Sequence, residues 1–520
     1  MKVALTGATG NMGRATLEEI LQNPALEQVK LLILPTDKRV KKIRKAHKKD
    51  KNRIEIVFGN LADAQACRKL TEGVDYVLNL AAVIPPHSDQ YPERAVECNE
   101  TGVNTLVECI EGMQDQPKLI HISTLALYGN RNSLHPWAQV GDPLLVSPFD
   151  IYSATKMRGE FRVLESSVRT WAILRQTAML HKNMLADNMH DGLMFHTCFN
   201  APLEWATAHD SGVLMANILR RDMQGELQGG VFWKKVFNIG GGMQNAITGY
   251  DTLNDGFRLI GGSTKDFFLP YYNVVRNFHG AWFYDSDALN DLFAYRSQSV
   301  SDYWREIGRT HRYYALGKIV PKRLIAKFAI KRLFKSPNSP AYWVKHNDIP
   351  KLTAYFGGKE NYEKLRQTEW KDFPLLIENR AENGDALDYA ALKDRANAKT
   401  IDYGYDITKK DEEITLADLQ NVAHLHGGAL LSDTFAGDMY APMQWRNQDG
   451  REFTATAYTV LRAGHWINRT YTENVWEFDR LAKTDGLYAQ IWYDSHGKDE
   501  NYTYYEDENF VARIGENAAQ

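Results

Sequence analysis

The chain has 520 residues, a formal net charge of −3 and 44% hydrophobic content, so it can bury a large core and has no global pull toward nucleic acid or membranes. Its four cysteines, Cys67, Cys98, Cys109 and Cys198, all lie in the first part of the chain without a close metal-binding pair, which argues against a disulfide framework and for a reducing compartment. No run of about 18 apolar residues could span a bilayer, and an apolar strand beginning at residue 2 leaves no room for a signal peptide; a cytoplasmic protein is expected.

The first apolar run, Val3 to Leu5, leads into "TGATGNMG", where Gly7, Gly10 and Gly13 stand in a G-x-x-G-x-x-G spacing before helical periodicity from Arg14 to Leu21. A strand feeding a helix through a glycine turn leaves the helix's first N–H groups unpaired at its mouth, where a phosphate is the natural occupant. Strand, glycine turn and helix in that order predict a dinucleotide site built from Gly7, Thr9, Gly10, Asn11, Met12 and Gly13.

The second strand ends in "LLILPTDKRVKKIRK". An acidic residue there pairs with a ribose 2′-hydroxyl, whereas cations welcome a 2′-phosphate. With Thr36, Lys38 and Arg39 at the strand end, NADP is the expected cofactor, and Asp37 between them keeps NAD as the alternative. Farther along, Asn60 and Leu61 in "FGNLAD" are expected beside the adenine, and Ala81 and Ala82 in "NLAAVIPP" would let backbone approach the cofactor.

Strand-like runs then continue through "VDYVLNLAA", "KLIHIST", "TWAILR" and "VFNIGGG", with helical segments between. That alternation predicts an α/β fold, a Rossmann-type doubly wound parallel sheet over residues 1–245. Within it, Tyr152 and Lys156 in "DIYSATKMRGE" are four apart and share a helix face. An ammonium beside a phenol favours phenolate and lowers its pKa, which suits acid–base catalysis. Thr124 at a strand end can hold a substrate oxygen.

With these residues the chain resembles an extended short-chain dehydrogenase/reductase, the superfamily of NAD(P)-dependent epimerases, dehydratases and ketone reductases. The stretches that carry the resemblance are "TGATGNMG", "NLAA", "STLALYG", "YSATK", "ILRQT" and "FNIGGG". The resemblance implies that Tyr152 is the general acid/base, that Lys156 lowers its pKa and grips the nicotinamide ribose, and that Thr124 orients the reacting oxygen. It also implies that Asn99 in "ECNETGVNTL" supports the lysine or a proton relay, and that Arg175 lies at the cofactor. Gln176 stands where family members often have proline, and Asn60 replaces the usual aspartate.

Residues 246–377 read as a mainly helical, aromatic-rich substrate-binding region. Its Arg258, Arg276 and Arg296 are the cations a second diphosphate would need, but they are set among "FFLPYYNVVRNFHGAWFYDSD", which suggests an apolar pocket wall or a core. The reading that follows is hydride transfer between NADP(H) and a carbonyl or alcohol of a hydrophobic or aromatic small molecule. NAD-dependent epimerisation or dehydration of a nucleotide sugar, reduction of an activated C=C bond, and a non-catalytic cofactor sensor are the alternatives. Near residue 318, "KIVPKRLIAKFAIKRLFKSP" places Leu324, Ile325, Phe328, Ala329 and Leu333 along one helical stripe and five cations mostly opposite, a pattern suited to covering a core or lying on an anionic membrane.

Residues 378–413 read as a linker, and 414–520 as a small α+β accessory domain. His424, His426 and His465 are not expected to bind metal, since no cysteine accompanies them and an i, i+2 pair does not share a helix face. His346 and Asp348 before Pro350 read as a turn or helix cap. Asn468-Arg469-Thr470 and Asn501-Tyr502-Thr503 match the glycosylation pattern by chance. A small-molecule substrate and no nucleic acid are the expected partners, and homo-oligomerisation stays open.

Overall fold

The computed structural model describes residues 1–185, 192–466 and 477–504; Asn468-Arg469-Thr470 lies outside them. Seven strands form one parallel sheet: β1 (Lys2–Thr6), β2 (Gln28–Ile33), β3 (Ile54–Phe58), β4 (Tyr76–Asn79), β5 (Lys118–Thr124), β6 (Trp171–Gln176) and β7 (Lys235–Ile239). Their spatial order is β7-β6-β5-β4-β1-β2-β3, and every pairing is parallel. The strands read as unbroken apolar runs because helices bury both faces. One face packs Val3, Leu5, Leu31, Leu78 and Leu174 beneath α1 (Asn11–Ile20). The other packs Val57, Val77, Leu119 and Ile173 beneath α2 (Ala64–Thr71), α3 (Gly102–Glu111) and α4 (Ile151–Leu164). The strand order, not the chain direction, reverses between β1 and β4, so a crevice opens at their carboxyl ends, where doubly wound folds place ligands.

After β7 the chain is mainly helical, as expected. Its aromatics, however, are core. Phe199, Tyr250, Phe257, Phe267, Phe268 and Tyr272 interlock in one buried cluster, with Phe257 and Phe268 centroids 5.4 Å apart. The apolar-pocket reading is thereby corrected: these rings are buried against one another in tilted and edge-to-face contacts and serve as core. Asp348 caps the helix Ile349–Phe356 by accepting from the Lys351 N–H.

The C-terminal region also departs from expectation. Residues 414–466 and 477–504 share the Rossmann core rather than building their own: Leu419, Trp445, Tyr458 and Trp466 belong to the same buried cluster as Trp171 and Val163, and Phe478, Tyr488 and Trp492 pack with Leu127 and Ile151. The 378–413 stretch has only short helical turns but is pinned to the body, with the Trp137 indole donating to the Leu392 carbonyl and the Tyr403 hydroxyl to Asp142 at 2.5 Å. Among the described residues no helix is long and apolar enough to cross a membrane.

Candidate active site

The crevice begins with the glycine turn. Gly7 has φ +70°, and a side chain there would meet the Leu80 carbonyl at 2.8 Å; at Gly13 a Cβ would fall 2.1 Å from the Gly7 oxygen. These glycines let the backbone of β1 close against α1 and against the loop after β4. Gly10 caps α1 without a side-chain hydrogen bond, and the helix carries no acidic residue in its first turn. The cradle therefore presents uncapped N–H groups to an anion, and its residues fit a dinucleotide pyrophosphate. Thr6 pins the facing loop, accepting from the N–H groups of Leu80 and Ala81 at 3.0 Å each.

At the end of β2, Thr36, Lys38 and Arg39 are exposed, but the Arg39 guanidinium is taken up by Asp37 at 2.8 Å. Thr9 of the glycine turn also donates to Asp37, at 2.7 Å. Hydrogen bonds from Arg39, then from Thr9, hold the Asp37 carboxyl down at about 2 against the opposing effect of burial. A carboxylate therefore sits against the glycine turn, and the free 2′-phosphate cation expected of Arg39 is neutralised, so the strand end does not single out NADP. Asn60 donates to Glu97 at 2.7 Å, and Leu61 is buried in the core.

Thr124 ends β5 and faces Tyr152 and Lys156 on α4. That helix starts where it does because Asp150 caps it, accepting from the Ser153 N–H at 3.0 Å and lying 3.0 Å from His279 Nδ1. The cap signal is visible in "DIYS"; His279, from 129 residues away, has no local signal. Tyr152 is half-buried. Burial pushes its phenol up to about 12, with a hydrogen bond from Thr124 pulling the other way. Lys156 is 2% exposed, its ammonium donating to the Ile122 carbonyl at 2.5 Å, and burial lowers it to about 8. The ammonium is turned to a backbone carbonyl, and the phenol lies above its ordinary value because burial dominates.

Asn99, fully buried in a π-helical turn (Glu97–Thr101), donates to the Val83 carbonyl at 3.0 Å and to Thr155 at 3.1 Å, and accepts from the Val83 N–H at 2.8 Å. It joins the loop after β4 to α4 one residue before Lys156, rather than touching the lysine.

Arg175 is corrected outright. Its guanidinium is 0% exposed and spent on Glu160 at 2.6 Å, the Tyr128 hydroxyl at 2.8 Å and the Ala463 carbonyl at 2.6 Å, leaving nothing for a cofactor. Glu160 also accepts from His465 Nε2 at 3.0 Å. His426 lies 2.8 Å from Asp485 and stacks on Trp466; among the described residues no group of His, Cys, Asp or Glu could hold a metal. The arginines weighed as diphosphate anchors are engaged as well: Arg258 with Asp255, Arg276 with Glu500, Arg296 with Asp287 and the Gly240 carbonyl.

A family model, "NAD dependent epimerase/dehydratase family", matches residues 3–172. No curated protein matches the chain. Among solved structures, a dTDP-glucose 4,6-dehydratase from Streptomyces venezuelae with NAD is 20% identical over 60% of this chain and 97% of its own, with a TM-score of 0.48. A UDP-glucuronic acid 4-epimerase from Bacillus cereus in complex with UDP-glucuronic acid and NAD is 21% identical over 61% of this chain and 99% of its own, with a TM-score of 0.46. Over residues 3–172, which hold the glycine turn and most of the parallel sheet, the chain is thus similar to the NAD dependent epimerase/dehydratase family.

Proposed function

We propose that the protein is an NAD-dependent epimerase or dehydratase that works on a nucleotide sugar, with Tyr152 as its general acid/base and Thr124 holding the reacting oxygen. The observation that carries this reading is Thr124 at the carboxyl end of β5 with Tyr152 in the first turn of α4, at the end of the sheet where the N-terminus of α1 is uncapped. The family match over the same residues supports it, and the burial of the aromatics removes the reason to favour an apolar substrate.

In this scheme Gly7, Gly10 and Gly13 hold the pyrophosphate on the α1 N–H groups, and Asp37 accepts from the adenosine ribose, which favours NAD over NADP. The bound nicotinamide supplies a hydride acceptor and donor. Tyr152 takes the proton from a substrate hydroxyl and returns it. Thr124 keeps that oxygen at the phenol, and Lys156, whose ammonium is buried beside the site, offsets charge on the phenolate. Because the sugar is oxidised and then reduced in place, no net cofactor is consumed.

The test uses purified protein, desalted and then extracted for pyridine nucleotide, followed by incubation with UDP- and dTDP-hexoses. Retained NAD and an epimerised or dehydrated sugar without accumulating NADH are expected, with turnover of the Tyr152→Phe variant lower by roughly 10²–10⁴-fold. Stoichiometric NADPH consumption on simple ketones, or no pyridine nucleotide affinity at all, would overturn the reading.

A further inference from the structure

The segment from Arg312 to Lys335 holds eight Lys or Arg and no Asp or Glu. It does not form the single expected helix. A 3₁₀ stretch (Arg312–Ile319) leads through Pro321 into one α-turn (Lys322–Ile325), a π-turn (Ala326–Ile330) and a final 3₁₀ turn (Lys331–Lys335). These changes of pitch split the apolar stripe read from the sequence. Ile330 and Leu333 point inward, 1% and 5% exposed, and anchor the segment on the aromatic cluster around Phe195 and Phe268. Ile325 packs half-buried against the same cluster, whereas Phe328 turns outward at 65% exposure, as do Leu316 and Ile319 just before the stripe at 62% and 81%.

Large apolar side chains at such exposure, gathered in one short segment and interspersed with cations, mark an interaction surface rather than scattered surface residues. The cations are largely free. Lys322 pairs with Asp266 at 2.8 Å, whereas Lys318, Arg323, Lys327 and Lys331 have no ion-pair partner among the described residues. A partner that accepts apolar side chains and several positive charges together is the surface of an anionic bilayer, where such segments lie with their apolar residues at the headgroup boundary.

We propose that residues 312–335 are a peripheral membrane-docking element, held to the body by Ile330 and Leu333, that inserts Leu316, Ile319 and Phe328 into an anionic lipid surface. The element lies outside the crevice, so the proposal stands independently of the reaction assigned to it. Its chemistry also explains why the basic residues cluster here although the whole chain is slightly acidic.

The test is co-sedimentation of the full chain with vesicles of phosphatidylcholine alone or mixed with phosphatidylserine. Binding to the anionic vesicles at least roughly tenfold tighter than to neutral ones, weakened by salt, is expected. The double variant Ile319→Glu, Phe328→Glu, whose side chains touch no core, and separately Lys327→Gln with Lys331→Gln, should each lose most of that binding while keeping the wild-type melting temperature. Equal sedimentation with both vesicle types, or full binding by the variants, would overturn the proposal. So would failure to bind vesicles together with a wild-type dimer that Phe328→Glu converts to monomer, because the surface would then belong to a second copy of the chain.

Discussion

One helix, α4, carries two buried charges a turn apart, Lys156 and Glu160, and their sites are built in opposite ways. On the crevice side Lys156 has a single backbone carbonyl for its ammonium; burial outweighs what surrounds it and its pKa falls to about 8. One turn further along the same face Glu160 meets Arg175 and His465. Burial alone would raise the glutamate, but Arg175 first and then His465 reverse it and hold the carboxyl well below its usual range. Burial likewise depresses His465, only partly opposed by Glu160. A buried charge with a full set of partners is a fixed joint. A buried charge with one weak partner stays titratable near neutrality, which a catalytic site uses.

The largest effect should come from breaking the joint. Glu160→Ala leaves Arg175 charged and unpaired in the core, and it unties β6 from the Ala463 turn and His465. A loss of about 3–5 kcal/mol in urea-unfolding free energy is expected. A loss under about 1 kcal/mol would mean that water or relaxation replaces the pair and that the two sites differ less than their geometry indicates.

The opposite substitution sharpens the contrast. Lys156→Met removes a buried charge, and with the folded pKa near 8 against 10.5 for the free side chain, it should stabilise the protein at pH 7 by up to about 3 kcal/mol. The sign follows from the lowered pKa. Below pH 8 both folded and unfolded lysines are charged and the wild type carries the full cost. As pH rises from about 8 to 10.5 the folded state releases its proton first, wild-type stability rises, and the advantage of the variant disappears. Thermal unfolding of both proteins across that window checks it, and turnover should be lost throughout. A variant less stable than wild type at pH 7 would show that the bond to Ile122 outweighs the desolvation.

The third and smallest effect concerns Asp37, whose partner Arg39 is mostly solvated. Asp37→Ala should hardly change stability, since exposed pairs are worth about 0–1 kcal/mol, but it should free Arg39 and shift the ratio of NADH to NADPH affinities toward NADPH by roughly tenfold. Fluorescence titration with both reduced cofactors measures it. An unchanged ratio would remove Asp37 from the cofactor site.

Much of the site was legible because its signals are local. Gly7 and Gly13 are required by contacts within one strand–turn–helix unit, and Tyr152 and Lys156 are a turn apart on a helix whose cap, Asp150, is also written beside them. Arg175 was misread for the opposite reason: its role depends on Glu160 on another element and on Ala463 and His465, 288 and 290 positions later, and nothing near it announces them. The aromatics after β7 were ambiguous in the same way, since a ring lining a pocket and a ring closing a core have one composition.

The order of strands and helices, the glycine cradle and the spacing of the phenol and lysine follow from periodicity and backbone sterics within short stretches, so the amino-acid sequence alone determines them. Which cations are free, which carboxylates neutralise them, and whether residues 414–466 and 477–504 stand apart or pack on the sheet depend on contacts between distant segments. Only the tertiary structure decides these, because a buried charge takes its pKa and its role from partners that folding brings to it.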